Sequence, residues 1–364
     1  MSILIILGIL TLSTMLYMGQ SKFGKNPTGE RLERIKKSPN YKDGQFQNLS
    51  YTPPLAENST FPKIIYDRFF KKHPRLKPTD RIPSIQTDLH QLDPAQNVLV
   101  WFGHSSYFIQ IDGIRILVDP VFSGNASPLP NTVKAFEGSN TYSASDIPAI
   151  DYLLISHDHY DHVDYETLLA LKDKVKQVIC GLGVGSHFEY WGYDPKQIIE
   201  RDWHDNVEIK KDVTVFIEPA RHFSGRSFKR NKTLWVSFVI QTPSLNMYLG
   251  GDSGYDSHYA AIGRKHGPFD LVILENGQYN KAWPYIHETP EEVLKAAHDL
   301  RAKRILPVHS SKFTLSTHAW DEPLIKLTKL NQAYKFPLVT PIIGEVVNLD
   351  DSNQKFKPWW ESLN

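Results

Sequence analysis

The chain has 364 residues, 41 Lys and Arg against 40 Asp and Glu, 12% aromatic residues and a single cysteine. That length and aromatic content support a buried core and exclude a disordered chain. A net charge of +1 gives no electrostatic case for a nucleic-acid partner, and Cys180 alone excludes a disulfide framework or a multi-cysteine zinc site within one chain.

Ser2 to Gly19 is apolar and free of charged side chains. At about 18 residues it is just long enough to span a bilayer as a helix. No Lys or Arg precedes it and no convincing small-residue cleavage site follows, so a standard secretory signal fits poorly. Lys22, Lys25, Arg31, Arg34, Lys36 and Lys37 come next, and such residues prefer the cytoplasmic side of a membrane. The expectation is a membrane anchor or uncleaved signal within residues 1–20, with the folded part on the cytoplasmic side; export is the alternative. Residues 21–95 are polar and punctuated by Pro53-Pro54, Pro62, Pro74, Pro78 and Pro83. They read as an N-terminal arm with short helices packed on a folded domain.

That domain is expected over residues 96–350, with 351–364 as a C-terminal tail. Asn97–Phe102, Ser106–Ile111 and Ile114–Val118 are rich in β-branched and aromatic residues, and Asp112-Gly113 is a hairpin signal between the last two. Further strands are expected at Tyr152–Ile155, Val213–Ile217, Leu234–Gln241, Met247–Leu249, Leu271–Leu274 and Arg304–Val308. Helical periodicity appears at Tyr165–Leu171, after Pro290-Glu291-Glu292, and at Leu324–Tyr334. Strand blocks followed by helices, in two successive halves, suggest α+β layering with two sheets face to face.

The chemistry lies in the histidines. After the apolar strand ending at Ile155 comes Ser156-His157-Asp158-His159-Tyr160-Asp161-His162. His157, His159, Asp161 and His162 are four potential ligands in six residues, of the kind zinc takes where cysteine is absent. One compact loop cannot easily wrap all four around one tetrahedral ion, so two ions fit better. The missing ligands are expected at other strand ends: His222 after Val213–Ile217, Asp252 between Gly251 and Ser253, and His309 after Ile305–Val308. A carboxylate has two oxygens, so Asp252 could bridge the pair. His287, in the aromatic stretch Trp283-Pro-Tyr-Ile-His287 ahead of the Pro290 helix, could orient a phosphate or protonate a leaving group; its alternative is a helix-entry contact with local backbone. His104 reads more readily as structural. Trp203, Phe223, Tyr255, Trp283 and Tyr285 could line an apolar cleft, although each alone reads as core.

In the pattern His157-x-His159-x-Asp161-His162, then His222, Asp252 and His309, the chain resembles the metallo-β-lactamase superfamily over residues 97–348. The resemblance implies an αββα sandwich of two facing mixed sheets with helices outside. It implies that His157, His159 and His222 hold one divalent ion and Asp161, His162 and His309 a second, with Asp252 bridging. Zn²⁺ is the expected metal, and Asp119 is implied as a support of the loop. Asp119-Pro-Val-Phe, Gly251-Asp-Ser-Gly-Tyr255 and His287-Glu-Thr-Pro-Glu-Glu292 are similar to the N-acylphosphatidylethanolamine-hydrolysing phospholipase D family of bacterial type. The Lys25-Asn-Pro-x-Gly and Asn40-Tyr-x-Asp-Gly44 segments share that likeness. Gly103-His104-Ser105-Ser106 is of a type shared with sugar-phosphate lactonases.

The function so implied is a phosphodiesterase of phospholipase D type, using a metal-bridging hydroxide to release phosphatidic acid and an N-acylethanolamine. Its partners would be a phospholipid or other phosphodiester and the membrane surface, with no nucleic acid. A lactonase or small phosphodiester hydrolase of the same superfamily is the enzymatic alternative. A non-catalytic, membrane-tethered metal-binding scaffold is the alternative from another class. Catalysis would rest on Asp252 and His287. Residue types say nothing of the oligomeric state.

Overall fold

The computed structural model describes residues 2–364, without the side chains of residues 2–4 and 69. The first quarter of the chain holds α1 (Ser2–Met18), α2 (Gly29–Ile35), the hairpin β1 (Tyr41–Lys42) and β2 (Gln45–Phe46), and α3 (Phe61–Phe70). The first half of the sandwich follows: β3 (Val98–Trp101), β4 (Tyr107–Ile111), β5 (Ile114–Val118), β6 (Ile150–Ile155), α4 (Tyr165–Leu171), β7 (Val175–Gly181), α5 (Gly185–Tyr190) and β8 (Ile198–Arg201). The second half comprises β9 (Asn206–Lys210), β10 (Val213–Glu218), β11 (Ser237–Gln241), β12 (Asn246–Leu249), α6 (His258–His266), β13 (Leu271–Glu275), α7 (Pro290–Asp299), β14 (Ile305–Val308) and α8 (Glu322–Tyr334). Finally β15 (Val346–Asn348) returns to pair antiparallel with β3.

The strands form a seven-stranded sheet, β15-β3-β4-β5-β6-β7-β8, and a six-stranded sheet, β14-β13-β12-β11-β10-β9. Both are mixed: antiparallel hairpins pass into parallel strands where the connection is a long loop, as between β5 and β6, or a helix, as between β12 and β13. The inner faces meet through Leu99, Ile109, Ile116 and Leu154 on one side and Val215, Phe238, Leu249 and Ile273 on the other. The alternate residues face outward. Leu153, Ile155 and Val178 pack under α4 and α5, while Tyr248, Val272 and Leu274 pack under α6, α7 and α8. This two-residue alternation makes the four layers, and each fully buried aliphatic side chain contributes roughly 1.5–3 kcal/mol. The architecture is the expected αββα sandwich.

Two local departures from expectation have physical causes. Leu234 to Val236, expected in a strand, stay outside β11 because their amides serve the other sheet. Leu234 N–H donates to Leu182 O at 2.8 Å and Val236 N–H to Ser156 O at 2.9 Å. Residues 351–364, expected as a tail, end in a turn that buries Trp359 and Trp360 in the inter-sheet core. The Asn364 carbonyl also accepts from Thr79 N–H at 2.6 Å.

α1 is 17 residues long, and among the described residues no helix is long and apolar enough to cross a membrane. The arm that follows is tied to the sandwich by a buried carboxylate. Glu200 pairs with Arg31 at 3.0 Å and with Arg34, while its other oxygen accepts Gly183 N–H at 2.9 Å and Gly185 N–H at 3.0 Å. Glu200→Ala would orphan two buried amides and release both arginines. It is expected to cost about 2–4 kcal/mol by urea denaturation and to expose Lys36-Lys37 to trypsin.

Candidate metal centre

Strands β3, β5 and β6 of one sheet and β10, β12, β13 and β14 of the other end along one edge. Several end in non-glycine residues with left-handed backbone: His104 (φ 55°), Asp119 (φ 41°), Gln278 (φ 57°) and His309 (φ 63°). Such conformations are uncommon for these residue types and are held only where surrounding contacts over-determine them. Here the contacts are explicit. His104 N–H donates to Ser310 O at 3.0 Å and His309 N–H to His104 O at 3.0 Å, zipping the two sheets' turns together. Buried Lys312 adds a clamp, donating to Phe102 O at 3.1 Å and Val121 O at 2.9 Å. Gly251 is left-handed as well (φ 60°), and a Cβ there would stand 2.8 Å from Ser156 Cβ, so only glycine lets the Asp252 turn close on the histidine loop.

The loop after β6 folds back tightly, His162 N–H and Val163 N–H both reaching His159 O, at 3.1 and 2.7 Å. Alternate side chains then part. Asp158 turns away, accepting from Gly225 N–H at 2.7 Å, Thr233 Oγ1 at 2.9 Å and His187 at 3.1 Å. His157, His159, Asp161 and His162 turn to the edge. There His157 Nε2 lies 2.9 Å from His159 Nδ1, which lies 3.2 Å from His222 Nε2. Asp252 stands between the clusters, its oxygens 3.2 Å from His162 Nε2, 3.1 Å from His309 Nδ1, 3.7 Å from His222 Nε2 and 3.8 Å from His157 Nε2. The structure thus brings all seven expected residues to one place.

Supporting contacts fix which ring nitrogen faces inward. Asp119 accepts from Ser156 N–H at 2.9 Å, Ser156 Oγ at 2.6 Å and His162 Nδ1 at 2.9 Å, which turns His162 Nε2 toward Asp252. His222 Nδ1 donates to Ile286 O at 2.9 Å, and the arm's Asn48 brackets the His222 backbone at 2.8 and 3.1 Å. His159 Nε2, His162 Nε2, His309 Nε2 and Asp252 Oδ1 are buried and find no hydrogen-bond partner among the described residues. Orphaned lone pairs of that kind, converging from two sheets, are what a divalent ion would satisfy. Burial holds His157, His222 and His309 well below the usual imidazole range, so they stay neutral, the form that ligates. Burial opposes charge on Asp252 as well, but the neighbouring His162 outweighs it and holds that carboxylate well below its usual range.

Two residues matter more than the sequence suggested. His104 is fully buried and its Nε2 meets Asp161 Oδ2 at 2.9 Å, so it aims that carboxylate. Glu275, at the end of β13, accepts from His287 Nδ1 at 2.6 Å and from the amides of Ser253 and Glu288 at 3.0 and 3.1 Å. His287 is therefore not a residue held only by local backbone. It sits just before α7, whose start is rigid because Thr289 and Glu292 cap each other and Pro290 opens the helix. His287 and Phe223 line a cavity of about 530 Å³ over the centre, with Trp283 and the arm's Leu55, Phe61 and Ile64. Of the other aromatic candidates, Trp203 is core, Tyr255 bonds Asp299, and Tyr285 packs on Arg221.

Removing the Asp119 carboxylate would orphan three buried donors, each worth about 1–3 kcal/mol. Asp119→Ala is expected to lower stability by at least about 3 kcal/mol even in chelator-treated protein, measured by urea denaturation.

Residues 114–310 match the family described as "Beta-lactamase superfamily domain". An uncharacterized protein of Mycobacterium tuberculosis is 36% identical over 327 residues, covering 89% of this chain and 87% of its own length. The mitochondrial N-acyl-phosphatidylethanolamine-hydrolyzing phospholipase D of Saccharomyces cerevisiae is 32% identical over 267 residues, 69% of this chain and 55% of that protein. Among solved structures, a metallo hydrolase of Ignicoccus hospitalis has a TM-score of 0.54 at 19% identity, over 70% of this chain and 98% of that one, which speaks to the fold. With its sandwich, its seven converging side chains and a family match across more than half its length, the chain belongs to the metallo-β-lactamase superfamily of metal-dependent hydrolases.

Proposed function

We propose that this protein is a two-metal hydrolase that cleaves the phosphodiester bond of an N-acylated phospholipid, yielding phosphatidic acid and an N-acylethanolamine. The observation that carries the reading is the pairing of the seven-residue centre with a cavity lined both by apolar side chains, Leu55, Phe61, Ile64 and Trp283, and by the polar Gln47, Asn48 and Gln278. Apolar lining suits acyl chains and the polar positions suit a head group. The yeast relative carries this activity in its name.

His157, His159 and His222 would hold one ion, Asp161, His162 and His309 the other, with Asp252 facing both. Zinc fits the donor set of imidazoles and carboxylates. Bound there, two divalent ions would neutralise phosphate charge and bring the pKa of a water toward neutrality. The protein's own contribution is positional. His104 and Asp119 hold Asp161 and His162 in place. Glu275 takes the Nδ1–H of His287, so Nε2 is the proton-accepting nitrogen of the neutral ring; a proton taken there from the attacking water could then pass to the departing alkoxide, with the Glu275 carboxylate offsetting the imidazolium charge. Phe223, packed on His159 and His222, covers the centre against bulk water.

Three measurements test this reading. Zinc-loaded and chelated protein would be compared on N-acylphosphatidylethanolamine, a lactone and a cyclic nucleotide. Metal-dependent release of phosphatidic acid is the expected result, and turnover of the lactone alone would overturn it. Asp252→Ala is expected to drop bound metal below two per chain and to slow turnover roughly 10³-fold, the equivalent of several kcal/mol of transition-state stabilisation. His287→Ala is expected to slow turnover about 10²-fold with metal content unchanged, and Glu275→Gln to act in the same direction but less. Loss of metal from either variant would reassign that pair to the metal centre.

A further inference from the structure

Large apolar side chains left exposed by the fold gather around the mouth of the cavity. On α3, Ile64 points into the cavity, and Arg68 pins the helix by donating to the carbonyls of Thr314, Leu315 and Ser316 at 3.2–3.4 Å. The outer side carries Ile65 (57% exposed), Tyr66 (57%) and Phe70 (74%). A neighbouring loop lifts Phe228 into solvent at 85% exposure, and its Arg230 lies 5.7 Å over the ring of Phe61 at the N-terminus of α3. The root of α1 reaches the same side: Tyr17 Oη donates to Pro128 O at 2.7 Å, next to Leu129, itself 51% exposed. Val133 of that loop lines a groove with Ile64 and Arg68 beneath α3.

Exposed apolar side chains clustered beside a cavity mark an interaction surface. Charge indicates which partner. Residues 49–72 carry Lys63, Arg68, Lys71 and Lys72 against Glu57 and Asp67, and residues 227–232 carry Lys229, Arg230 and Lys232 with no acid. A protein groove would cover one stripe of a helix. α1 is apolar on every side, from Ile5 and Ile6 through Leu16, so hydrocarbon suits it better than a groove does.

We propose that this face docks on an anionic lipid surface, with α1 entering the hydrocarbon and the outer side of α3, with Phe228, lying in the head-group region. The cavity then opens toward the bilayer, and a lipid reaches the centre without crossing water. The proposal rests on the lipid-hydrolase reading for its purpose, but binding is measured without turnover, so the two fail separately.

Cys180 is the sole cysteine and fully buried, so a cysteine added at the surface can be labelled alone. Full-length protein would be labelled with an environment-sensitive fluorophore at Leu10→Cys, Phe70→Cys, Phe228→Cys and Lys211→Cys, the last at the β9–β10 turn on the opposite end of the strands. Vesicles would be phosphatidylcholine with or without phosphatidylglycerol, some bearing brominated acyl chains. The expected result is a blue shift and bromine quenching at positions 10, 70 and 228, stronger with phosphatidylglycerol, and none at 211. Lys63→Glu with Lys72→Glu is expected to weaken binding to phosphatidylglycerol vesicles by about tenfold or more. The far-ultraviolet circular dichroism spectrum and the urea midpoint should stay unchanged in every variant, which controls for folding. A signal at position 10 without one at 70 and 228 would make α1 a tether only and overturn the proposal. Equal signals at all four positions, or no dependence on phosphatidylglycerol, would overturn it too.

Discussion

Asp252 is the carboxylate on which the centre closes. Four imidazoles, from His157, His162, His222 and His309, stand within 3.1–3.8 Å of its oxygens. They come from both sheets, so the apolar interior that seals the sandwich also sets the geometry of the site. A charge buried this deeply is tolerated only where partners surround it. Without those histidines the Asp252 turn would be a liability to the fold, and without Asp252 the imidazoles would have no shared centre.

The strand ends that carry these residues are bent in a costly way. His104, Asp119, Gln278 and His309 all take left-handed backbone, and each is held by hydrogen bonds to neighbouring turns. The His104–Ser310 and His309–His104 amide bonds join the two sheets at that point, and Lys312 spans the turns after β3 and β5. Strain is thus concentrated where side chains must project sideways off a strand, and at His104 and His309 it is offset by hydrogen bonds that exist only when both sheets are in place. The centre is in this sense a product of sheet packing and not of the histidine loop alone.

Much of this was legible beforehand. The histidine loop, the lone ligands at strand ends and the two-half pattern of strands and helices are local signals, carried by residue type and two-residue alternation. The Pro290 helix was readable from its proline and first-turn acids, and the structure adds the mutual cap of Thr289 and Glu292. What local pattern could not carry is pairing across the chain. Glu275 looks like the unremarkable end of a buried strand until His287, twelve positions on, folds back onto it. His104 looks structural until Asp161 arrives from the next strand block. Leu234–Val236 has strand composition, but its amides are claimed by the opposite sheet. Trp359 and Trp360 lie in a polar C-terminal stretch and return to a core built hundreds of residues earlier.

The most direct measurement is anomalous diffraction at the zinc edge from crystals grown with the metal. The account predicts two peaks about 3.5–4 Å apart, with Asp252 touching both, His157, His159 and His222 on one, and Asp161, His162 and His309 on the other. A single peak, or two peaks with Asp252 on neither, would contradict it.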